Sequence, residues 1–327
     1  DGIRDSVASR GLGDVYKRQQ STYSIHPLWE RYDSLLQAKM IALIGTIACS
    51  TFIFVIFRIF ERFNIGTFQA IVANYFTAFL CGILMHVNEF STDSFVHLEW
   101  LRFVSLSAVL FLSLFIMMAI SAQKNGIAAT SVAVKMSMAV SMLGMIFIYN
   151  EVISCAKLVG IFCALIGVFL IASSGEKSNK NNAAYMLIVL FIGSGLLDLN
   201  LNYAQNHVFN HISSSIFTSY GFAAAGTIGV VVHIIQRFRG KSKPIKAKNL
   251  IAGFVLGIPN YYSIYFLLES YQILTWQDSS ILAVVNVSVV LLSVIIGFIV
   301  FKEVIGKRKI IGILAALIAI FLLYFYS

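Results

Sequence analysis

EVISCAKLVGIFCALIGVFL at residues 151–170 returns 152 residues later as EVIGKRKIIGILAALIAIFL at residues 303–322. Eleven of the 20 aligned positions are identical, among them Glu151 and Glu303, which open the two copies. A similarity at one long offset indicates a duplicated structural unit. Because both copies are apolar over nearly the length of a bilayer-crossing helix, the duplication predicts a repeat built into a membrane.

The whole chain is too apolar for a water-soluble fold. Hydrophobic residues make up 58% of its 327 residues and charged residues only 12%, with a mean hydropathy of +0.83. Soluble domains carry about 45–50% apolar and about 25% charged residues. We therefore predict a polytopic membrane protein, with the lipid bilayer as a partner.

Neither the cysteines nor the net charge indicates a disulfide framework, a metal site or a nucleic-acid-binding surface. The four cysteines lie in apolar spans without the spacing of a disulfide framework or a zinc site, and no phosphate-binding motif is recognisable. The formal charge of +9 comes from short loops, so it predicts no nucleic-acid partner. We expect no metal and no cofactor.

Ten stretches are long and apolar enough to cross a bilayer, which takes about 20 residues. The segment 1–39 is set apart from them, because it is polar, lacks an initiator Met and has no apolar signal-peptide core. We expect it to be a non-native or disordered leader, with Met40 as the native start. The ten predicted spans are roughly 40–60, 67–87, 100–121, 127–149, 154–174, 183–204, 213–236, 249–271, 279–301 and 309–326.

The two copies of the repeat must cross the membrane in opposite directions. The first copy covers the end of span 4, a short link and span 5, and the second covers the end of span 9, a link and span 10. Five helices separate equivalent points, and an odd number reverses the direction of crossing. The predicted fold is an all-α membrane protein of ten transmembrane helices, arranged as two inverted five-helix repeats at residues 40–175 and 183–327.

Basic residues are concentrated in the odd links, which are those that follow odd-numbered spans. From residue 40 onward the odd links hold fifteen Lys and Arg residues, whereas the even links hold two, Arg102 and Lys157. The positive-inside rule then places the odd links in the cytoplasm and both ends of residues 40–327 outside.

Lys135 is a charged residue near the middle of span 4. A lysine at the centre of a membrane helix costs about 2.5–3.5 kcal/mol on insertion scales, so it is expected to face a wet cavity or a partner. We predict that Lys135 binds the anionic part of a substrate. The alternative is a buried ion pair or a carbonyl-capped lysine that only fixes helix packing.

Span 6 carries Asp198 and Asn202, which are four residues apart and therefore share a helix face. Asp198 is the candidate counter-charge to Lys135, or a proton carrier, and Asn202 would complete the polar site. The alternative for both is interhelical hydrogen bonding worth about 0.6 kcal/mol per contact.

Spans 8 and 9 supply the remaining candidates. Pro259 lies inside span 8 and removes one backbone hydrogen bond, so it predicts an interruption where Asn260 and Tyr261 could line a binding site. A simple packing kink is the alternative for this span. Asn286 in span 9 is one position away from Val287, the repeat equivalent of Lys135.

Glu151 and Glu303 are predicted to be structural residues. Each opens a repeated link, and each could cap the first turn of the helix that follows it. A negative charge at that position interacts favourably with the helix dipole.

Three motifs resemble those of the drug/metabolite transporter superfamily, in its EamA-like branch. They are NEVISCAKLVG at 150–160, KEVIGKRKIIG at 302–312 and QAIVANY at 69–75, and the resemblance covers residues 40–327. It implies a central cavity between the two halves that opens alternately to each side, and a small metabolite such as an amino acid as cargo. It also implies cytoplasmic termini, which contradicts the orientation predicted from the loop charges.

Two hypotheses from different classes follow. The favoured one is a secondary transporter, a permease or exporter of a small polar metabolite in a bacterial inner membrane, and not an enzyme. A proton or another ion is the candidate coupling partner, and the assembly is a monomer or a homodimer. The predicted substrate-binding residues are Lys135, Asp198, Asn202, Asn260, Tyr261 and Asn286.

The alternative is a polytopic membrane enzyme that acts on a lipid-linked substrate. Lys135 and Asp198 would then form an acid–base pair, and polar residues would cluster near one membrane interface. The polar residues instead lie at mid-membrane on several spans, which favours transport. An ion channel would need a symmetric ring of charges or carbonyl groups, and none is visible in the sequence.

Overall fold

The computed structural model describes residues 26–87, 100–149, 155–172, 180–207, 214–240, 244–274, 278–304 and 306–325. Within these residues all regular structure is helical and no strand occurs. Helices are numbered by predicted span, and span 4 consists of two pieces. The helices are α1 His26–Arg62, α2 Thr67–Met85, α3 Trp100–Lys124, α4a Ile127–Met136, α4b Met138–Tyr149, α5 Cys155–Ala172, α6 Lys180–His207, α7 Ser214–Phe238, α8 Ala247–Ile273, α9 Asp278–Ile299 and α10 Lys307–Phe325.

Each predicted span coincides with a helix, and most helix ends differ from the prediction by a few residues. The largest difference is at α1, which begins at His26 and so includes part of the segment 1–39 that was set apart from the fold. Seven helical spans of the described chain are long and apolar enough to cross a membrane, and two shorter apolar stretches, Leu158–Ile171 and Val284–Ile299, lie within α5 and α9. The predicted all-α, ten-helix membrane fold is confirmed.

The outer surface of the helix bundle is rich in large apolar side chains. Phe162 and Phe169 on α5 and Phe298 on α9 are exposed over 64%, 67% and 61% of their surface. Exposed apolar surface on this scale is unfavourable in water and suits the hydrocarbon of a bilayer. The chain is therefore an integral membrane protein.

Contacts between links define one face of the bundle. The backbone N–H of Gly66, after α1, donates to Asn249 Oδ1 at the start of α8 (2.9 Å). The backbone N–H of Ile127, at the start of α4a, donates to Glu303 Oε1 in the link after α9 (2.7 Å). The links after spans 1, 3, 7 and 9 therefore share a face, called here the odd face, and the opposite side is the even face. The loop charges predict that the odd face is cytoplasmic.

The helices pair in an order that two related halves would produce. Helices α1 and α2 both pack on α8. Their predicted equivalents, α6 and α7, both pack on α3, which is the predicted equivalent of α8. Helices α2 and α7 pack on each other, as do α5 and α10. These pairings are those expected if α1–α5 correspond to α6–α10, so they support the predicted division into units 40–175 and 183–327, which stays a prediction.

The repeated segments themselves meet where α5 crosses α10. A Cβ atom added to Gly167 would lie 2.9 Å from the carbonyl oxygen of Gly312, and one added to Gly312 would lie 2.9 Å from the carbonyl oxygen of Gly167. Small residues at such a crossing let two membrane helices approach backbone to backbone. The glycines of the opening repeat thus join its two copies.

Candidate functional site

Span 4 is interrupted at Ser137, between α4a and α4b. Ser137 Oγ donates to the carbonyl oxygen of Val134 (2.6 Å), and the N–H of Val140 donates to the carbonyl oxygen of Ser137 (2.8 Å). The second contact spans three residues and so tightens the helix locally to a 3₁₀ turn. The backbone of Ser137 itself stays helical (φ −54°, ψ −21°), and the N–H of Ser141 also donates to its carbonyl oxygen (3.2 Å), so the interruption is a local tightening of the span and not an unwound segment.

Lys135 lies in the last turn of α4a, two residues before this interruption. It is eight residues from Ile127, which at 1.5 Å per residue places it about 12 Å along the span from the odd-face end. Its side chain is half-buried. Among the described residues it has no hydrogen bond and no ion-pair contact within 4 Å, but its charge interacts with that of Asp198.

Asp198 faces the interruption from α6. Its Oδ2 atom lies 3.3 Å from Ser137 Oγ. Ser137 has one hydroxyl proton, and its shorter contact is to the carbonyl oxygen of Val134 (2.6 Å), so the hydrogen bond to Asp198 is the weaker of the two. Asp198 as a whole residue is exposed on α6.

The close approach of α6 to the interruption depends on Gly195. A Cβ atom at this position would lie 2.7 Å from the carbonyl oxygen of Ser137 and 2.5 Å from Val140 Cβ. Gly195 is one turn before Asp198 on the helix. The absence of a side chain there lets the carboxylate of Asp198 reach the Lys135 region.

Asn286 brings a third helix to the same region. Its side chain is 4% exposed, and its Nδ2 atom donates to Met138 Sδ (3.9 Å), the residue directly after the interruption. Lys135, Asp198 and Asn286 thus lie around Ser137, on α4a, α6 and α9. Their roles in substrate binding stay predictions.

Asn260 and Tyr261 make no hydrogen bond to this group within the described part of the chain. The side chain of Asn202 lies outside the described residues. Asn260 is buried, and its Nδ2 atom has no hydrogen-bond partner in the structure. Tyr261 is buried on the same helix, with its hydroxyl hydrogen-bonded to His86 Nδ1 (3.0 Å).

Pro259 does not interrupt span 8, contrary to the prediction. Helix α8 continues through it from Ala247 to Ile273. A proline costs one backbone hydrogen bond but can remain within a membrane helix that neighbouring helices support. Here α8 packs against both α1 and α2. The interruption lies instead in span 4.

Glu303 caps a different helix from the one predicted. Its Oε1 atom accepts the hydrogen bond from the N–H of Ile127, at the start of α4a, and not from the first turn of α10. The link turns back on α9, because Lys302 has φ +52° and the N–H of Glu303 donates to the carbonyl oxygen of Gly297 (2.9 Å). The carboxylate is therefore directed at the start of α4a, in the other predicted unit. Glu151 lies outside the described residues.

Gly126, directly before α4a, makes room for this carboxylate. It has φ +91° and ψ 162°, a conformation open to glycine and almost no other residue. We expect Gly126→Ala to destabilise the protein by about 2–3 kcal/mol, since the new Cβ would also lie 2.5 Å from Glu303 Oε2. The thermal unfolding midpoint of detergent-purified protein measures this loss.

Gly240→Ala is the matched control for this prediction. Gly240 also has a positive φ, +66°, but has no heavy atom within 4 Å of an added Cβ. The difference between the two variants combines the contact with Glu303 and the more restrictive backbone conformation of Gly126. Equal losses for both would show that the carboxylate does not depend on Gly126.

Two features of the structure were not among the residues predicted from the sequence. The interruption at Ser137 is one of them, and no local signal distinguishes this serine from Ser131 and Ser141, which make the same hydroxyl bond within α4a and α4b. Glu269 is an acid within the predicted span 249–271, and Tyr265 lies one turn before it. An ionisable residue in a span is a candidate for function by default, so Glu269 could have been selected by the argument used for Lys135.

Comparisons with known proteins extend this description. Residues 179–325 match the EamA-like transporter family. The chain is 28% identical over 290 residues to an uncharacterized protein of Haemophilus influenzae, and the alignment covers 86% of this chain and 97% of that protein. A solved crystal structure is similar with a TM-score of 0.54 and 11% sequence identity, covering 89% of this chain and 97% of that chain. At that identity it supports the fold alone.

Proposed function

We propose that this chain is a member of the EamA-like transporters, whose family model matches residues 179–325, and that it carries a small polar metabolite, such as an amino acid, across the bilayer by alternating access. The group around Ser137 would be the substrate site. Transporters of this general kind bind cargo near the midplane, where interrupted helices expose polar groups.

The observation that supports the proposal most strongly is a pair of opposite charges beside a helix interruption inside the membrane. Lys135 and Asp198 interact electrostatically, and Asp198 remains exposed. A carboxylate cannot face hydrocarbon at this depth without a large cost in free energy. We therefore infer that its accessible surface borders an aqueous cavity between the two halves.

Lys135 is suited to bind the negative group of a substrate. An ammonium group has three hydrogen-bond donors and no acceptor, and in the described structure none of the three has a partner. A substrate carboxylate would supply acceptors together with the opposite charge. The substrate would then compete with Asp198 for Lys135, and proton uptake by Asp198 would remove the competitor.

A ligand screen tests the proposed function. The full chain is purified in detergent, and its thermal unfolding midpoint is measured with a panel of amino acids and other small carboxylates. A ligand present at 100 times its Kd stabilises the folded state by about 2.7 kcal/mol. We expect at least one such ligand to stabilise the protein and to enter proteoliposomes that contain it. Absence of both effects over the whole panel would refute the proposal.

The competition between Asp198 and the substrate predicts proton coupling. We expect uptake by the wild type to accelerate when a proton gradient is imposed across the proteoliposome membrane. Asp198→Asn keeps the side-chain size but cannot exchange a proton, so its uptake should not respond to the gradient. Glu61→Gln is the control, because Glu61 is an exposed acid paired with Arg58 at the end of α1. An unchanged gradient response in Asp198→Asn would exclude Asp198 as the proton carrier.

A further inference from the structure

A cluster of aromatic rings occupies the part of α8 nearest the even face. It consists of Tyr261, Tyr262, Tyr265 and Phe266, with His86 from the end of α2, and is called here the α8 aromatic cluster. Tyr265 is 18 residues from Ala247, which places it about 27 Å along the helix from the odd-face end. The cluster is thus separated along the membrane normal from Lys135.

Tyr265 is at the centre of this cluster. Its ring stacks on that of Tyr261 (centroids 6.2 Å apart, 22° between planes) and is perpendicular to that of Tyr262 (6.0 Å, 85°). The rings of Phe266 and His86 lie 5.5 Å and 5.9 Å from it. Tyr262, Tyr265 and Phe266 are only half-buried, so parts of their faces are open to a ligand.

An acid without a partner lies beside these rings. Glu269 is one helical turn after Tyr265, and its charge acts on the phenol of Tyr265. It is half-buried, and in the described structure it makes no hydrogen bond and no ion pair. The even links contain two basic residues, Arg102 and Lys157, and α1 adds Arg31 and Lys39 near its start. Glu269 has no ion-pair partner in the described structure, and a cationic ligand could supply the missing positive charge.

We propose that the α8 aromatic cluster and Glu269 bind the alkylated ammonium group of an organic cation. Ring faces carry negative potential and attract weakly hydrated cations, which lose little on leaving water. Glu269 would supply the matching charge. An alkylated ammonium needs few hydrogen-bond acceptors, and that agrees with a surface made mainly of aromatic carbon. This site does not require the proposed transport at Lys135 to be correct.

Two probes of equal shape test the proposal on the full chain in detergent. Choline carries a trimethylammonium group, and 3,3-dimethylbutan-1-ol has the same shape with carbon in place of the charged nitrogen. We expect saturable binding of choline by isothermal titration calorimetry, with binding of the neutral alcohol weaker by about tenfold or more. Equal binding of the two probes, or no saturable choline binding, would overturn the proposal and leave the rings as an interfacial aromatic belt.

Variants then assign the binding to the named residues. Glu269→Gln and Tyr265→Leu should each weaken choline binding by about tenfold, whereas Tyr265→Phe keeps the ring and should retain most of it. Glu61→Gln, an exposed acid at the odd face, should leave binding unchanged. Full choline affinity in Glu269→Gln would contradict the proposal. The comparison of the two probes on the wild type decides the matter even if a variant does not fold.

Lys135→Ala separates this proposal from the transport proposal. We expect this variant to lose transport and to bind choline with wild-type affinity. Choline binding without any transport by the wild type would remove only the proposed function. Transport of an amino acid without choline binding would remove only the cation site.

Discussion

Lys135→Ala should reduce transport in proteoliposomes by about a hundredfold or more, to the level of protein-free vesicles, while the protein still folds and inserts. The proposed site binds the negative group of the cargo through this ammonium, and the loss of a buried charge-assisted contact costs about 3 kcal/mol or more. Lys135 has no hydrogen-bond or ion-pair partner within the described residues. Its removal should therefore leave the packing of α4a intact.

Two further variants make this expectation specific. Lys135→Arg keeps the charge on a longer and planar group, so it should retain part of the activity with altered KM. Lys124→Ala removes an exposed lysine at the end of α3, close to the odd face, and should transport normally. Undiminished transport by well-folded Lys135→Ala would exclude this residue from the site. Loss of transport in Lys124→Ala as well would indicate that transport depends on the overall positive charge of the protein and not on Lys135 in particular.

Gly257→Ala should destabilise the protein by about 3 kcal/mol, because the added methyl group would overlap α2. Its new Cβ would lie 2.5 Å from Thr77 Cβ and 2.7 Å from the carbonyl oxygen of Asn74 on α2. Rotation of a side chain cannot relieve either contact, so α2 and α8 must separate. The roughly 1 kcal/mol that alanine gains over glycine in a helix does not offset this.

Gly221→Ala is the matched control within a helix. Its added Cβ would meet Phe111 at 3.4 Å, an ordinary packing distance, so the helix preference for alanine should make this change neutral or slightly stabilising. Thermal unfolding in detergent gives both values. A Gly257→Ala midpoint equal to that of the wild type would mean that the contact between α2 and α8 is looser than the structure indicates.

The helices were predictable from the sequence because lipid imposes a single requirement on them. Each span must be apolar over about 20 residues, and this can be recognised without knowledge of its neighbours. The approach of Asp198 to Lys135 could be anticipated as well, since opposite charges inside a membrane reduce each other's cost. The helix face of each residue then follows from its position in the sequence.

The partner of Glu303 could not be predicted in the same way. From the sequence Glu303 is expected to cap the nearest helix start, that of α10, whereas the structure joins it to Ile127, 176 residues earlier. Which helix start lies closest depends on how the two halves dock, and no local pattern specifies that. Similarly, Pro259 was a local signal for an interruption, but the packing of α8 against α1 and α2 keeps that helix continuous.

The hydrogen bond from Ile127 to Glu303 has a consequence for the energetics of transport. It attaches the segment that carries Lys135 to the link after α9, in the other predicted unit, so the proposed movement between the units would strain or break a contact about 12 Å along span 4 from Lys135. By thermodynamic linkage, a cargo that raises the equilibrium constant for breaking this hydrogen bond by a given factor must itself bind more tightly, by the same factor, when the bond is broken. The affinity for cargo and the equilibrium for breaking the Ile127–Glu303 hydrogen bond are then coupled, so a change in one changes the other.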